Sequence, residues 1–116
     1  MLFAEPGHKI WLYTQAVDMR KSYNGLIAVV KQQLLENPLS GQYFVFINKR
    51  KTQMKVLYFE SGGYCIWSKR LEQGQFNPTR FNSDKTVLSS CDLKLIIDGV
   101  KIKKVRQYKR FSLPKA

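Results

Sequence analysis

The sequence predicts an α+β domain in which an antiparallel sheet of about four to five strands packs with one long and one short helix. Three observations carry that reading. Short β-branched and aromatic runs recur between turn-forming residues, one segment repeats its apolar residues at three- and four-residue spacing, and a shorter segment does so behind a capping sequence. The chain has 116 residues, 44% of them apolar, and its 2 Trp, 6 Tyr and 7 Phe give it enough bulk for one core without cross-links. Residues 1–99 read as a single domain and residues 100–116 as a basic C-terminal arm or an edge strand.

The elements follow in order. Ile10-Trp11-Leu12-Tyr13 after Pro6-Gly7 is a brief strand. Asp18 stands where a helix N-cap would, ahead of Met19, Tyr23, Leu26, Ile27, Val30 and Leu34, whose spacing predicts an amphipathic helix ending near Asn37-Pro38. Gly25 within it costs roughly 1 kcal/mol of helix propensity, which points to close packing or to a later start. Tyr43 to Ile47 and Met54 to Phe59 are strand-like runs around a polar basic loop, the pattern of a hairpin, and Ser61-Gly62-Gly63 turns the chain into a third run, Tyr64 to Ser68. Alternation puts Met54, Val56 and Tyr58 on a core face and Lys55, Leu57 and Phe59 on a mixed one. Thr86-Val87-Leu88 makes a further short strand. Ser89-x-x-Asp92 then forms a capping box for a second helix carrying Leu93, Ile96 and Ile97, with Gly99 as its stop.

Charge is the chain's other strong signal. Twenty Lys and Arg against eight Asp and Glu give a formal net charge of +12, which predicts a polyanionic partner, nucleic acid before membrane surface. The excess is uneven: residues 1–40 hold four bases and three acids, 41–80 seven and two, and 81–116 nine and three. No apolar run approaches the ~20 residues of a membrane span. The start MLFAEPGHK lacks the basic and apolar pattern of a signal peptide, so the expected location is the cytoplasm. Cys65 and Cys91 are too few for a disulfide framework and His8 is the lone histidine, so neither a metal nor a cofactor is expected, and both cysteines read as small core residues.

The candidate nucleic-acid-binding residues are bases that the predicted elements would present together. Lys49, Arg50 and Lys51 occupy the tip of the hairpin, Lys55, Lys69 and Arg70 flank it on strands, and Arg20 and Lys21 lie at the start of the first helix. Lys103, Lys104, Arg106, Lys109 and Arg110 belong to a tail with seven bases and no acid. Cations on a loop held by two strands can neutralise phosphates and release counterions. The plainer reading of the tip is protection of a sheet edge, and that of Arg20-Lys21 is an ion pair with Asp18 or Glu72. Tyr58, Tyr64, Trp67 and Phe76 interleave with bases as stacking platforms do, although a core role suits them better. Glu60 and Glu72 are the only acids near the hairpin. Their spacing offers no catalytic signature, and none of the phosphate-loop, nucleophile-elbow or zinc-protease motifs occurs.

Trp11-Leu12, Asp18-Met19-Arg20-Lys21, Gly25-Leu26, Pro38-x-Ser40-Gly41, Phe44-Val45-Phe46, Lys55-Val56-Leu57, Gly63 and Lys69-Arg70-Leu71-Glu72-x-Gly74-x-Phe76 follow one another in an order that resembles the TnpB-type accessory proteins of the insertion-sequence-66 transposon family, from about residue 8 to residue 100. The resemblance implies a non-enzymatic accessory protein of DNA transposition, encoded beside a separate transposase that carries the catalysis. Its implied partners are transposon-end DNA and that transposase, with no small-molecule substrate. A protein-interaction module that docks on the transposase without touching DNA, through its nearly neutral first helix, is the alternative.

Overall fold

A computed structural model describes residues 7–78 and 83–99. Its elements run β1 (Ile10–Tyr13), α1 (Tyr23–Val29, continued by a π-helical turn over Val30–Leu34), β2 (Tyr43–Ile47), β3 (Gln53–Glu60), β4 (Gly63–Arg70), β5 (Lys85–Leu88) and α2 (Ser90–Ile97). The expected tail with its five candidate bases lies outside the described residues.

The α+β class holds, with one long and one short helix, but the sheet is mixed and not antiparallel throughout. Its five strands stand in the order β4-β3-β2-β1-β5, and β1 pairs parallel with β2 in the register Ile10↔Tyr43, Trp11↔Phe44, Leu12↔Val45. A helix fills the connection between these two strands, and a crossover of that kind returns the chain in the direction it left. The remaining pairs are antiparallel.

Both faces of the sheet are covered. Tyr43, Val45, Ile47, Met54, Val56 and Tyr58 pack with Leu93 and Ile96 of α2 on one side, while Phe44, Phe46 and Leu57 pack with Leu26, Val30 and Leu34 of α1 on the other. The face of β3 expected to be mixed thus carries a second core, Leu57 being fully buried. All five residues of β2 are buried, as a central strand sandwiched between helices requires. At roughly 1.5–3 kcal/mol for each large side chain removed from water, this strand is the main apolar contributor to the fold.

Asp18 does not cap α1. Its carboxylate accepts from the backbone N–H of Arg20 at 2.9 Å, and its carbonyl accepts from Lys21 N–H at 3.1 Å, so the acid is used up in a local turn. Ser22 precedes the helix without a side-chain cap. The later start leaves Gly25 in the first turn, where a Cβ would lie 3.1 Å from the side chain of Lys21. The π-turn ends at Leu35, a non-glycine in the left-handed region (φ 56°), and Glu36 N–H reaches back to Val30 C=O at 3.1 Å. The capping box of α2 forms as expected: Ser89 Oγ accepts from Asp92 N–H at 2.9 Å and the Asp92 carboxylate from Ser89 N–H. Gly99 follows with φ 74° and closes the helix.

Candidate nucleic-acid interface

The ends of β1, β2 and β4 and the starts of β3 and β5 meet at one end of the sheet, which carries the hairpin tip. Asn48 builds that tip. Its side-chain oxygen accepts from Thr52 N–H (2.9 Å) and Gln53 N–H (3.0 Å), its amide donates to Thr52 Oγ1, and its carbonyl accepts from Lys51 N–H at 3.0 Å. Lys51 takes a left-handed conformation, φ 61°, to close the loop. The segment after β4 clamps the same loop from outside. Leu71 N–H donates to Thr52 C=O (2.8 Å), Phe76 N–H to Lys51 C=O (2.7 Å) and the Gln75 amide to Arg50 C=O (2.8 Å), while the Phe76 ring is fully buried. The loop backbone is therefore fixed while Lys49, Arg50 and Lys51 remain exposed, and among the described residues none of the three forms an ion pair.

Two grooves flank the tip. One, of about 320 Å³, is lined by Thr14, Gln15, Asn48, Lys49, Lys51 and Pro78 among others, and a more open one of about 890 Å³ by Asp18, Arg20, Lys49, Arg50 and Gln53. Lys49 borders both. Arg20 is exposed on the wall of the second groove and Lys21 is exposed next to it in the chain, but Arg20 is engaged by Asp18 at 2.6 Å. That contact, chiefly the hydrogen bond from the guanidinium, lowers the Asp18 pKa to about 2. Arg70 pairs with Glu72 at 3.1 Å with both side chains largely in solvent, so this contact is weak and leaves Arg70 available.

Lys55 and Lys69 are bonded within the fold. Lys55 Nζ donates to the carbonyls of Met19 (2.8 Å) and Lys21 (2.7 Å), pinning the turn before α1 to the sheet. Lys69 Nζ donates to Ile97 C=O at 2.9 Å, a cation placed at the C-terminal end of α2 where the helix dipole favours it. Lys85, which sequence reasoning passed over, does the same for α1. Its ammonium donates to Leu34 C=O (2.8 Å), pairs with Glu36 (2.6 Å) and lies 4.7 Å from the ring centre of Trp11. Three strand lysines thus staple helix or turn carbonyls to the sheet.

Of the aromatics, Tyr58 and Phe76 are buried, and burial raises the Tyr58 pKa; Tyr64 and Trp67 are half-buried against the two core layers. None of the four is a free platform. Cys65 packs beside the core as expected, but Cys91 is exposed, because the first turn of α2 points it away from the sheet. His8 is exposed. Glu72 is the ion-pair partner of Arg70, and Glu60 has none among the described residues. In that same set no three His, Cys, Asp or Glu side chains could share a metal ion, and no helix is long and apolar enough to cross a membrane.

The path of the chain after α2 completes the geometry. Gly99, the last residue described, lies 3.8 Å from Gln75 C=O, measured from the position a Cβ would take, and Gln75 is bonded to Arg50. The chain therefore continues into its seven tail bases from beside the hairpin tip.

The family described as IS66 Orf2 like protein matches residues 8–107. The chain belongs to this family. The match covers the whole described fold from His8 onward and runs beyond Gly99 into the basic segment. Two proteins of Sinorhizobium fredii (strain NBRC 101917 / NGR234) are similar to this IS66 Orf2-like chain, both titled uncharacterized. One, y4jC, is 31% identical over 107 residues, 92% of each chain; the other, y4hO, is 29% identical over 92 residues, 79% of this chain and 80% of its own. No solved structure matches. Membership supports a role in the transposition of insertion sequences as an accessory to the transposase.

Proposed function

We propose that this IS66 Orf2-like protein is a non-catalytic accessory factor that holds transposon-end DNA, alone or in complex with the transposase, against the basic end of its sheet. The observation that carries the proposal is the fixed tip with three exposed, unpaired cations. A fixed loop backbone loses little freedom on binding, so the ordering cost of phosphate contact falls on the lysine and arginine side chains alone. Arg20, Lys21 and Arg70 extend the contact surface along the sheet end. Lys103, Lys104, Arg106, Lys109 and Arg110 supply an arm that begins next to the tip. Contacts of this kind position DNA without reading its sequence. The cytoplasm, where a bacterial element's DNA lies, is the compartment in which such a protein would act.

The test is a salt titration of affinity for terminal-repeat DNA and for unrelated DNA. With each neutralised phosphate contributing about 0.9 to the slope of log affinity against log salt, replacing Lys49, Arg50 and Lys51 together by alanine is expected to flatten it by about 2.7. An unchanged slope refutes the role of the tip. A second reading, docking on the transposase without direct DNA contact, draws support from Leu35 and Leu39, which expose 76% and 55% of their surface just after α1. It predicts weak DNA binding and a transposase complex that withstands raised salt.

A further inference from the structure

The outer edge of β4 has no strand paired with it among the described residues. Among the described residues β4 is the last strand on its side, eight residues long against four for β5 at the opposite edge. Its register with β3 is unbroken from Gly63 to Arg70, it contains no proline, and its only charges, Lys69 and Arg70, stand at its C-terminal end, which leaves Gly63 to Ser68 without the charges that usually protect an edge. Its apolar side chains lie on both faces, Cys65 and Trp67 against the α2 layer and Tyr64 and Ile66 against the α1 layer, all half-buried.

The phase of the free backbone groups can be derived. Ser61 and Gly62 join β3 to β4 with φ of 51° and 82°, a two-residue mirror-type turn that makes Glu60 and Gly63 a hydrogen-bonded pair. Antiparallel pairing then alternates, so Gly63, Cys65, Trp67 and Lys69 direct their N–H and C=O groups at β3. The bond from Leu71 N–H to Thr52 C=O continues the same phase. Tyr64, Ile66, Ser68 and Arg70 must therefore turn theirs outward.

We propose that a second copy of this chain occupies this edge, β4 pairing antiparallel with the partner's β4 about a twofold axis at Trp67, so that the two sheets become one of ten strands. The four outward residues are symmetric about position 67. Tyr64 falls opposite the partner's Arg70, Ile66 opposite the partner's Ser68, and the two Trp67 side chains meet as a close pair between hydrogen-bonded ones. Local charge along the strand favours this occupant over the chain's own tail. In this register Lys69 and Arg70 face Cys65 and Tyr64 of the other copy, and no cation meets a cation. The chain's own continuation after Gly99, with Lys101, Lys103 and Lys104, would instead lay lysines alongside Lys69 and Arg70.

The pairing has a geometric consequence, which alone rests on the proposed DNA-binding role. The two hairpin tips come to opposite ends of the joined sheet, about 40 Å apart at ~3.4 Å per residue along the strands and ~4.8 Å between them. Such a dimer would hold two DNA segments side by side.

The experiment needs no DNA, so its failure is distinct from failure of the DNA-binding reading. The full chain is examined by sedimentation equilibrium up to about 100 µM, in salt of about 0.5 M to screen repulsion between the two positive copies. A mass approaching twice 13.6 kDa is expected. Ser68→Pro removes one outward N–H without touching the bonds to β3, and is expected to weaken association at least tenfold with an unchanged circular dichroism spectrum. As an independent readout, Trp67→Cys in a Cys65→Ser, Cys91→Ser background is expected to form a disulfide between copies on mild oxidation, since directly opposed residues of that pair type lie within cystine reach. A chain that stays monomeric, or an oxidised cysteine variant that does not cross-link, overturns the proposal. So does a monomer whose Tyr64, Ile66, Ser68 and Arg70 amides are protected from exchange, because the chain's own tail would then cover the edge.

Discussion

Replacing Lys55 by methionine separates the two roles a lysine can play here. The substitution keeps the aliphatic stem and removes the ammonium, and with it the bonds to Met19 and Lys21 carbonyls at 2.8 and 2.7 Å. A hydrogen bond from a charged donor contributes about 1.5–3 kcal/mol, but the second acceptor is exposed and regains water when the ammonium leaves. The net loss is then expected to be about 2 kcal/mol, chiefly from the part-buried bond to Met19. With a urea m-value of about 1–3 kcal/mol/M, the unfolding midpoint should fall by roughly 1 M. The salt dependence of DNA affinity, measured on the folded variant, should stay as it is. A midpoint shift under about 0.2 M would refute the staple, and a slope reduced by about one unit would return Lys55 to the phosphate-binding set.

Two further outcomes follow from local geometry. The Asp18 carboxyl, held down to about 2 chiefly by its hydrogen bond from Arg20, should titrate by NMR near that value, and Arg20→Ala should return it toward the ordinary carboxylate range. Because the folded pKa is depressed, the stabilisation is present above the unfolded value of 3.8 and is lost as pH falls through about 2, so the variant should lose that acid-limb contribution. Leu35→Gly should raise the thermal midpoint, since glycine relieves about 1 kcal/mol of left-handed strain at an exposed site that buries almost nothing; a lowered midpoint would show that Leu35 contributes packing here.

The strands and the second helix were legible because their signals are local: alternation in Met54 to Phe59, paired turn residues at Ser61-Gly62, and Ser89 three residues ahead of Asp92. The parallel pair was legible in principle, since a helix-length connection between two short strands is the mark of a crossover, and the unbroken apolar run of Tyr43 to Ile47 is that of a strand covered on both faces. Asp18 misled because an acid ahead of an apolar repeat looks alike whether it caps a helix or closes a turn. The basic tip was readable from composition. What was not readable was which lysines are free. Lys55, Lys69 and Lys85 meet carbonyls 36, 28 and 51 residues away, and only the fold brings those partners together.

The place of β1 between β2 and β5 also bears on how the molecule assembles. Its neighbours are β2, which follows across a helix, and β5, whose Leu88 pairs with Ile10 from the far end of the described chain. The β2-β3-β4 meander can form from near neighbours in sequence, whereas the pairing of β1 with β5 must close almost the whole length of the domain. During synthesis the sheet thus has an unfinished side at β1 until Leu88 has left the ribosome, and a chain cut short before that point presents an apolar strand edge open to aggregation.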